Sequence, residues 1–164
     1  MLMMRPACAT DVPVLLEMVR ELAIHEGDEA SVVATEEDLR RDGFGLRPRF
    51  QVLLAEWEGR TAGFALYFFG YSPRQGKAVL HVEDLYIRPA YQRRGISRAM
   101  LNQLARVAVS EGCHRYECRV LETNASGIAF YRALGARFPH EGEPVRIEGE
   151  ELRRLATPAE AAST

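Results

Sequence analysis

The chain has 164 residues, 47% of them apolar and 27% charged, which suits a single globular domain with a full hydrophobic core. A net charge of −2 differs from the basic balance of most nucleic-acid binders, and no apolar run reaches the ~20 residues of a membrane span. The start MLMMRPACATD turns polar too early for a signal peptide. We therefore expect a cytoplasmic protein without nucleic-acid or membrane partners.

The first third of the chain predicts one strand and two helices. Residues 3–7 can form a short strand. Asp11 is a candidate N-cap with Pro13 just inside the helix, and the apolar residues that follow keep helical spacing. Thr35 is a candidate cap of a second, short helix that ends near the glycines of DGFG.

The middle of the chain predicts three strands and a longer helix. The strand-like runs are residues 51–57, 61–69 and 78–87. The turn Glu58-Gly59-Arg60 joins the first two as a hairpin. A helix is expected to begin near Gly95 and to end at Gly112, because apolar residues between them recur at helical spacing.

The last third predicts a strand at residues 116–121, a helix at 125–134 and a final strand at 145–148. Asn124 is a candidate cap for that helix, and Gly135 a candidate stop. The order of elements implies a mixed α/β sandwich around one sheet.

The distribution of charged residues indicates which ligands the chain could attract, and the positions of its cysteines bear on metal binding. Six acidic and no basic residues lie in 26–38, whereas four arginines and no acid lie in 88–98, so one part of the chain could attract a cation and another an anion. Cys8, Cys113 and Cys118 fit neither a disulfide framework nor a zinc spacing. We expect reduced thiols and no metal. His81, His114 and His140 show no partner pattern and are assigned no chemistry.

The stretch YQRRGISRAML predicts an anion site. The first turns of a helix leave backbone N–H groups without partners, and the macrodipole adds partial positive charge there. Gly95 has no Cβ to keep the backbone away from a pyrophosphate, and Arg93, Arg94 and Arg98 can add hydrogen bonds. An ordinary capped helix with solvated arginines explains the same spacing.

These residues also carry a resemblance. QRRGIS at residues 92–97 is similar to the Gln/Arg-x-x-Gly-x-Gly/Ala loop of the GNAT superfamily of acetyl-CoA-dependent N-acetyltransferases. ELAIHE, TEEDLRRDGFG, GFALYFFGYSPRQGKAVLHVEDLYI and NASGIAFYRALGA resemble its diamine (spermidine/spermine)/thialysine acetyltransferase branch. Ser97 departs from the pattern, since the family has Gly or Ala there.

The resemblance implies a GNAT acyl-CoA N-acyltransferase fold. This α/β fold has a mixed, mostly antiparallel central sheet with a splayed strand pair, flanked by helices. It implies one acetyltransferase domain at residues 1–156 and a homodimer. Residues 157–164 are small and polar, and we expect them to form a flexible tail. Acetyl-CoA would be the co-substrate, bound by Leu85, Tyr86, Ile87, Gln92, Arg93, Arg94, Gly95, Ile96, Ser97, Arg98 and Asn124.

Two residues are implied to be catalytic. Tyr131 matches the tyrosine that protonates the departing thiolate, although an aromatic on this helix is more often part of a core. Glu83 lies in the otherwise apolar HVEDLYI, where a carboxylate needs an arginine partner or a function. The resemblance implies that Glu83 binds the acceptor ammonium and accepts its proton.

The same resemblance implies that His25, Glu26 and Glu143 line the acceptor site. His25 and Glu26 could equally belong to a solvated helix end. The expected reaction is direct attack of a small diamine, polyamine or lysine-like amine on the thioester. The alternatives are a protein amine or an aminoglycoside as acceptor, or a non-catalytic acyl-CoA sensor.

Overall fold

A computed structural model of the protein describes residues 1–140, 142 and 144–157. The chain forms two compact units, Met1–Arg119 and Val120–Thr164. Every helix in the described ranges is too short or too polar to cross a membrane. Residues 158–164, most of the expected tail, lie outside the described residues.

The first unit is built on a sheet whose five strands lie side by side in chain order. The strands are β1 (Leu2–Pro6), β2 (Gln51–Trp57), β3 (Arg60–Ser72), β4 (Lys77–Ile87) and β5 (Arg115–Cys118). All neighbours are antiparallel except β4 and β5, which are parallel. The expected mixed, mostly antiparallel sheet is therefore confirmed, as is the β2–β3 hairpin, whose two-residue turn holds Glu58 and Gly59 at positive φ.

Helices cover both faces of this sheet. They are α1 (Val12–His25), α2 (Glu36–Phe44) and α3 (Ile96–Ser110), at the positions that the sequence predicts. Buried residues of α1 pack with Phe64 and Tyr86 on one face. Buried residues of α3 pack with Leu80 and Val82 on the other. The sheet is thus sandwiched between α1 and α3.

The prediction that Asp11 caps α1 is wrong. It occupies the N-cap position, but its side chain makes no cap hydrogen bond. It accepts two hydrogen bonds from the Arg5 guanidinium and one from the Cys8 N–H, and Arg5 holds the pKa of Asp11 well below its usual range. A charged partner on β1 outcompetes the helix amides for this carboxylate. Thr35, in contrast, forms the predicted cap of α2.

The second unit contains α4 (Ala125–Ala133) and α5 (Gly149–Ala156). The Asn124 side chain accepts from the Gly127 N–H and caps α4, as predicted. The predicted strand at 145–148 is wrong, because those residues have no strand structure and Val145 and Ile147 are exposed. The sequence analysis missed α5, which carries two ion pairs at i,i+3 spacing.

Candidate active site

A β-bulge in β4 organises the site. Leu66 of β3 pairs with Asp84 and the next residue, Tyr67, pairs with Val82, so Glu83 is an extra residue without a cross-strand partner in that register. An extra residue reverses the alternation of side chains along a strand. The sequence analysis expected a bulge in this segment.

The bulge sends Asp84 to the α1 face of the sheet. Before it, Leu80 and Val82 pack with α3. After it, Ile87 packs with α3, whereas Tyr86 packs with α1. Strand alternation places Asp84 on the same face as Tyr86. Without the bulge, Asp84 would share the α3 face with Val82.

The end of β4 extends past its parallel neighbour. The last register pair between β4 and β5 joins Val82 to Cys118, and β4 continues to Ile87. Beyond Val82, none of the described strands pairs with this side of β4. Pairing between β4 and β5 therefore stops at the bulge, where β5 ends.

The edge of β4 that lacks a strand partner after Val82 offers backbone hydrogen-bonding groups. The Arg88 N–H donates to the Ala62 carbonyl on β3. Peptide groups of an antiparallel strand alternate in direction. Those of Leu85 and Ile87 therefore point away from β3, toward the edge that β5 leaves open, whereas those of Tyr86 face β3. An extended acyl-amide chain could add to this edge as a strand would.

The loop after β4 leads directly into α3. Gly95 is the N-cap residue with a φ of +75°, and Arg93 also has a positive φ of +63°. The first amide bonded within the helix is that of Ala99, which donates to the Gly95 carbonyl. The preceding amides of the first turn are therefore available to an anion. An added Cβ at Gly95 would meet nothing within 4 Å, so this glycine is needed here for its backbone conformation.

The side chains of this loop have different roles. Ile96 is buried in the core below α3, so only its backbone can meet a ligand. The Gln92 amide donates to the Ile87 carbonyl and ties the loop to the end of β4. The Arg94 guanidinium lies 5.2 Å from the centre of the Trp57 ring.

A group of carboxylates lies on the α1 face. The pKa of Asp84 is raised from 3.8 to about 6, mainly by burial and to a smaller extent by the negative charges of Glu83 and Glu26. Glu26 is the C-cap residue of α1, next to the exposed His25. The fold therefore brings Glu26 of α1 close to Glu83 and Asp84 of β4, although Glu26 is far from both in sequence. Asp84 is half-buried, whereas Glu26 and Glu83 are exposed, and such a group of like charges favours a ligand with positive charge.

The sequence analysis missed Asp84 and His81. Asp84 follows Glu83 directly, and alternation alone does not say which of two adjacent acids is buried. His81 was assigned no chemistry, yet its Nε2 lies 3.0 Å from Glu83 Oε2. His81 and Glu83 are two positions apart in HVED, and polar residues at every second position of a strand are the signal that could have indicated their contact.

The other predicted residues lie in the second unit. Asn124 caps α4, and Tyr131 on α4 packs edge-on against Phe130 with ring centres 5.4 Å apart. Glu143 lies outside the described residues. The first unit therefore holds the predicted coenzyme loop and the carboxylates, and the second holds the predicted thiolate acid.

Comparison with known proteins shows the family of the chain. The model of the acetyltransferase (GNAT) family matches residues 16–136. The chain belongs to the GNAT acetyltransferase family. It is an N-acetyltransferase, as predicted.

Relatives and solved structures of the GNAT family extend the match. Thialysine N-epsilon-acetyltransferase of Sus scrofa is 37% identical, over 94% of this chain and 96% of the relative. Human spermidine/spermine N(1)-acetyltransferase-like protein 1 is 38% identical over 80% of this chain, which is 20% of the relative's length. An integron cassette protein of V. cholerae superposes with a TM-score of 0.79 at 25% identity, covering 96% of this chain and 98% of that chain. The predicted fold class is thus confirmed.

Proposed function

We propose that this enzyme transfers an acetyl group from acetyl-CoA to a primary amine of a small molecule that carries more than one ammonium group. The observation that supports this acceptor is the half-buried Asp84 with Glu26 and Glu83 around it. The names of the thialysine and spermidine/spermine relatives point to the same chemistry.

The coenzyme is proposed to lie along the open edge of β4 and over the start of α3. The N–H groups of Leu85 and Ile87 would bond the pantetheine arm and polarise the thioester carbonyl. The first-turn amides of α3, with Arg93 and Arg98, would hold the pyrophosphate. The positive φ of Gly95 supports this assignment, because it turns the loop directly into the helix.

The proton steps are assigned to carboxylates and a phenol. An alkylammonium with a pKa near ~10 must lose a proton before its nitrogen can attack. Glu83 would take that proton, directly or through water, and Asp84 and Glu26 would hold the second ammonium. The amine nitrogen then bonds to the carbonyl carbon, the carbon–sulfur bond breaks, and Tyr131 would protonate the departing thiolate. The proton that the new amide nitrogen gives up would return, through water, to the Tyr131 phenolate.

An amine panel tests the acceptor class. The enzyme is incubated with acetyl-CoA and either putrescine, spermidine, lysine, thialysine, a short peptide or an aminoglycoside, and the free thiol is followed. Release with the diamines, lost in Glu83→Gln, would support the proposal. Release only with the peptide or the aminoglycoside would replace the acceptor, and release with none of them would favour a non-catalytic acyl-CoA sensor.

A homodimer and a single domain spanning residues 1–156 are further proposals. Phe69 and Tyr71 near the end of β3 are exposed and could pack against a second copy. Sedimentation of the wild type and of Tyr71→Ser would test this, since a face used for dimerisation loses affinity when it becomes polar.

A further inference from the structure

His81 lies at the centre of a row of side chains that crosses three strands. Its cross-strand neighbours are Phe68 on β3 and Glu117 on β5. The Phe68 and His81 rings stack with their centres 4.7 Å apart. The His81 side chain keeps only 20% of its exposure, so the ring is fixed from two sides.

The two ring nitrogens of His81 face two carboxylates. Nε2 lies 3.0 Å from Glu83 Oε2, and Nδ1 lies 3.7 Å from Glu117 Oε1. An ionised carboxylate can only accept a hydrogen bond, so Nε2 is the donor to Glu83. Glu117 is in turn held by Arg115, whose Nε lies 3.0 Å from Glu117 Oε2. The chain of contacts therefore runs from Arg115 to Glu83.

Glu83 needs such a support. It is the extra residue of the bulge, and its side chain is 58% exposed. A glutamate side chain so placed samples several rotamers unless a contact selects one. The hydrogen bond from the His81 ring, which Phe68 holds in place, selects the Glu83 rotamer in which the carboxylate lies beside His81.

We propose that His81 is a positioning residue that holds the Glu83 carboxylate where it receives the proton of the acceptor ammonium. This inference rests on the proposed function of Glu83. It gives β5 an indirect part in the site, because Glu117, which pairs with Arg115, lies beside the far nitrogen of the same ring.

The test compares two substitutions of His81 in the full chain. His81→Phe keeps a ring against Phe68 but removes the donor, whereas His81→Gln removes the ring but keeps an N–H at a similar reach. Misplacing a general base should slow the reaction less than removing it, so we expect His81→Phe to lower kcat for the amine about tenfold. KM for acetyl-CoA stays within about twofold, since no contact to the coenzyme is removed. His81→Gln recovers most of kcat.

Two controls make the outcome specific. His114→Phe, at an exposed histidine before β5, leaves kcat unchanged. In a Glu83→Gln background, His81→Phe has no further effect, because the carboxylate it orients is gone. Thermal unfolding of each variant is measured alongside. If His81→Phe does not fold, His81→Met against His81→Gln makes the same comparison.

The failures are distinguishable. Full activity of His81→Phe together with a slow Glu83→Gln enzyme overturns the role of His81 alone. Equal losses in His81→Gln and His81→Phe also overturn it, because the donor would then not be what matters. Full activity of Glu83→Gln removes the proposed proton acceptor itself, and with it the basis for the positioning role.

Discussion

Replacing Asp84 by asparagine should stabilise the fold while it impairs the enzyme. Burial, together with the charges of Glu83 and Glu26, raises the pKa of Asp84 from 3.8 to about 6 in the folded protein. At a pH between these two pKa values, Asp84 has lost its proton in the unfolded chain but still holds it in the folded chain. The free energy of unfolding therefore falls as the pH rises from about 4 to about 6, and the loss persists at higher pH. Asparagine has the same shape and no charge, so it removes the loss.

The size of the effect follows from the pKa difference. One pKa unit corresponds to about 1.4 kcal/mol, so a shift of this size corresponds to at most ~3 kcal/mol. The side chain is only half-buried, and screening by water lowers the expected gain to about 2 kcal/mol. The gain should be almost absent below pH 4 and complete above pH 7.

Urea unfolding at a series of pH values measures this gain. Asp42→Asn is the matched control, because Asp42 is paired with Arg41 at the surface and its pKa is lowered. That substitution should give no gain at neutral pH. With the amine as varied substrate, Asp84→Asn should raise KM about tenfold, the effect of a lost charge-assisted contact. An Asp84→Asn protein that is no more stable than the wild type at pH 8 would falsify the burial argument.

Three further predictions concern the frame of the site. Gly63→Ala would drive a Cβ into the Tyr86 carbonyl oxygen, so we expect a loss of about 2 kcal/mol in urea unfolding and weaker acetyl-CoA binding in calorimetry; an unchanged midpoint would contradict the close approach of β3 to β4. Gly95→Ala places a side chain at a φ of +75°, which costs about 1 kcal/mol and should lower affinity for acetyl-CoA more than for the amine; equal effects on both substrates would argue against a coenzyme loop. Glu21 accepts hydrogen bonds from Arg88 at 2.8 Å and from the Tyr86 hydroxyl at 3.2 Å, so we expect Glu21→Gln to lower the free energy of unfolding by about 1.5 kcal/mol. High salt should narrow this difference, because it weakens the ion pair of the wild type. A loss of the same size in Glu21→Ala and none in Glu21→Gln would assign the effect to packing instead.

The sequence predicted the elements that depend on local spacing. The helical spacing of apolar residues in α3, the Thr35 cap and the turn at Glu58 each depend on residues that are close in sequence, and all three are confirmed. Asp11 fits a cap just as well locally. Its actual partner is Arg5, which reaches it only because β1 and the turn before α1 are adjacent in space.

The carboxylate site needed the folded sheet. Asp84 and Glu83 are neighbours in sequence, and which of them faces α1 depends on where the bulge falls. Glu26 joins them only through the packing of α1 on β4. His81 and Glu117 meet because β5 pairs in parallel with β4 in a register that the sequence does not state. Long-range register, rather than composition, is what the sequence analysis lacked.

The bulge also determines where the gene can lose or gain a codon. Removing residue 83 would leave an unbroken alternation in which Asp84 still pairs with Leu66 and still faces α1, so only the Glu83 carboxylate is lost. Removing residue 82 instead would put Glu83 opposite Tyr67, with its carboxylate in the apolar layer beneath α3. A similar change at residues 73–76, in the exposed turn between β3 and β4, would alter only the length of a loop. Single-residue deletions scanned along this hairpin should therefore be silent at its tip, compatible with folding but inactive at residue 83, and strongly destabilising at residue 82.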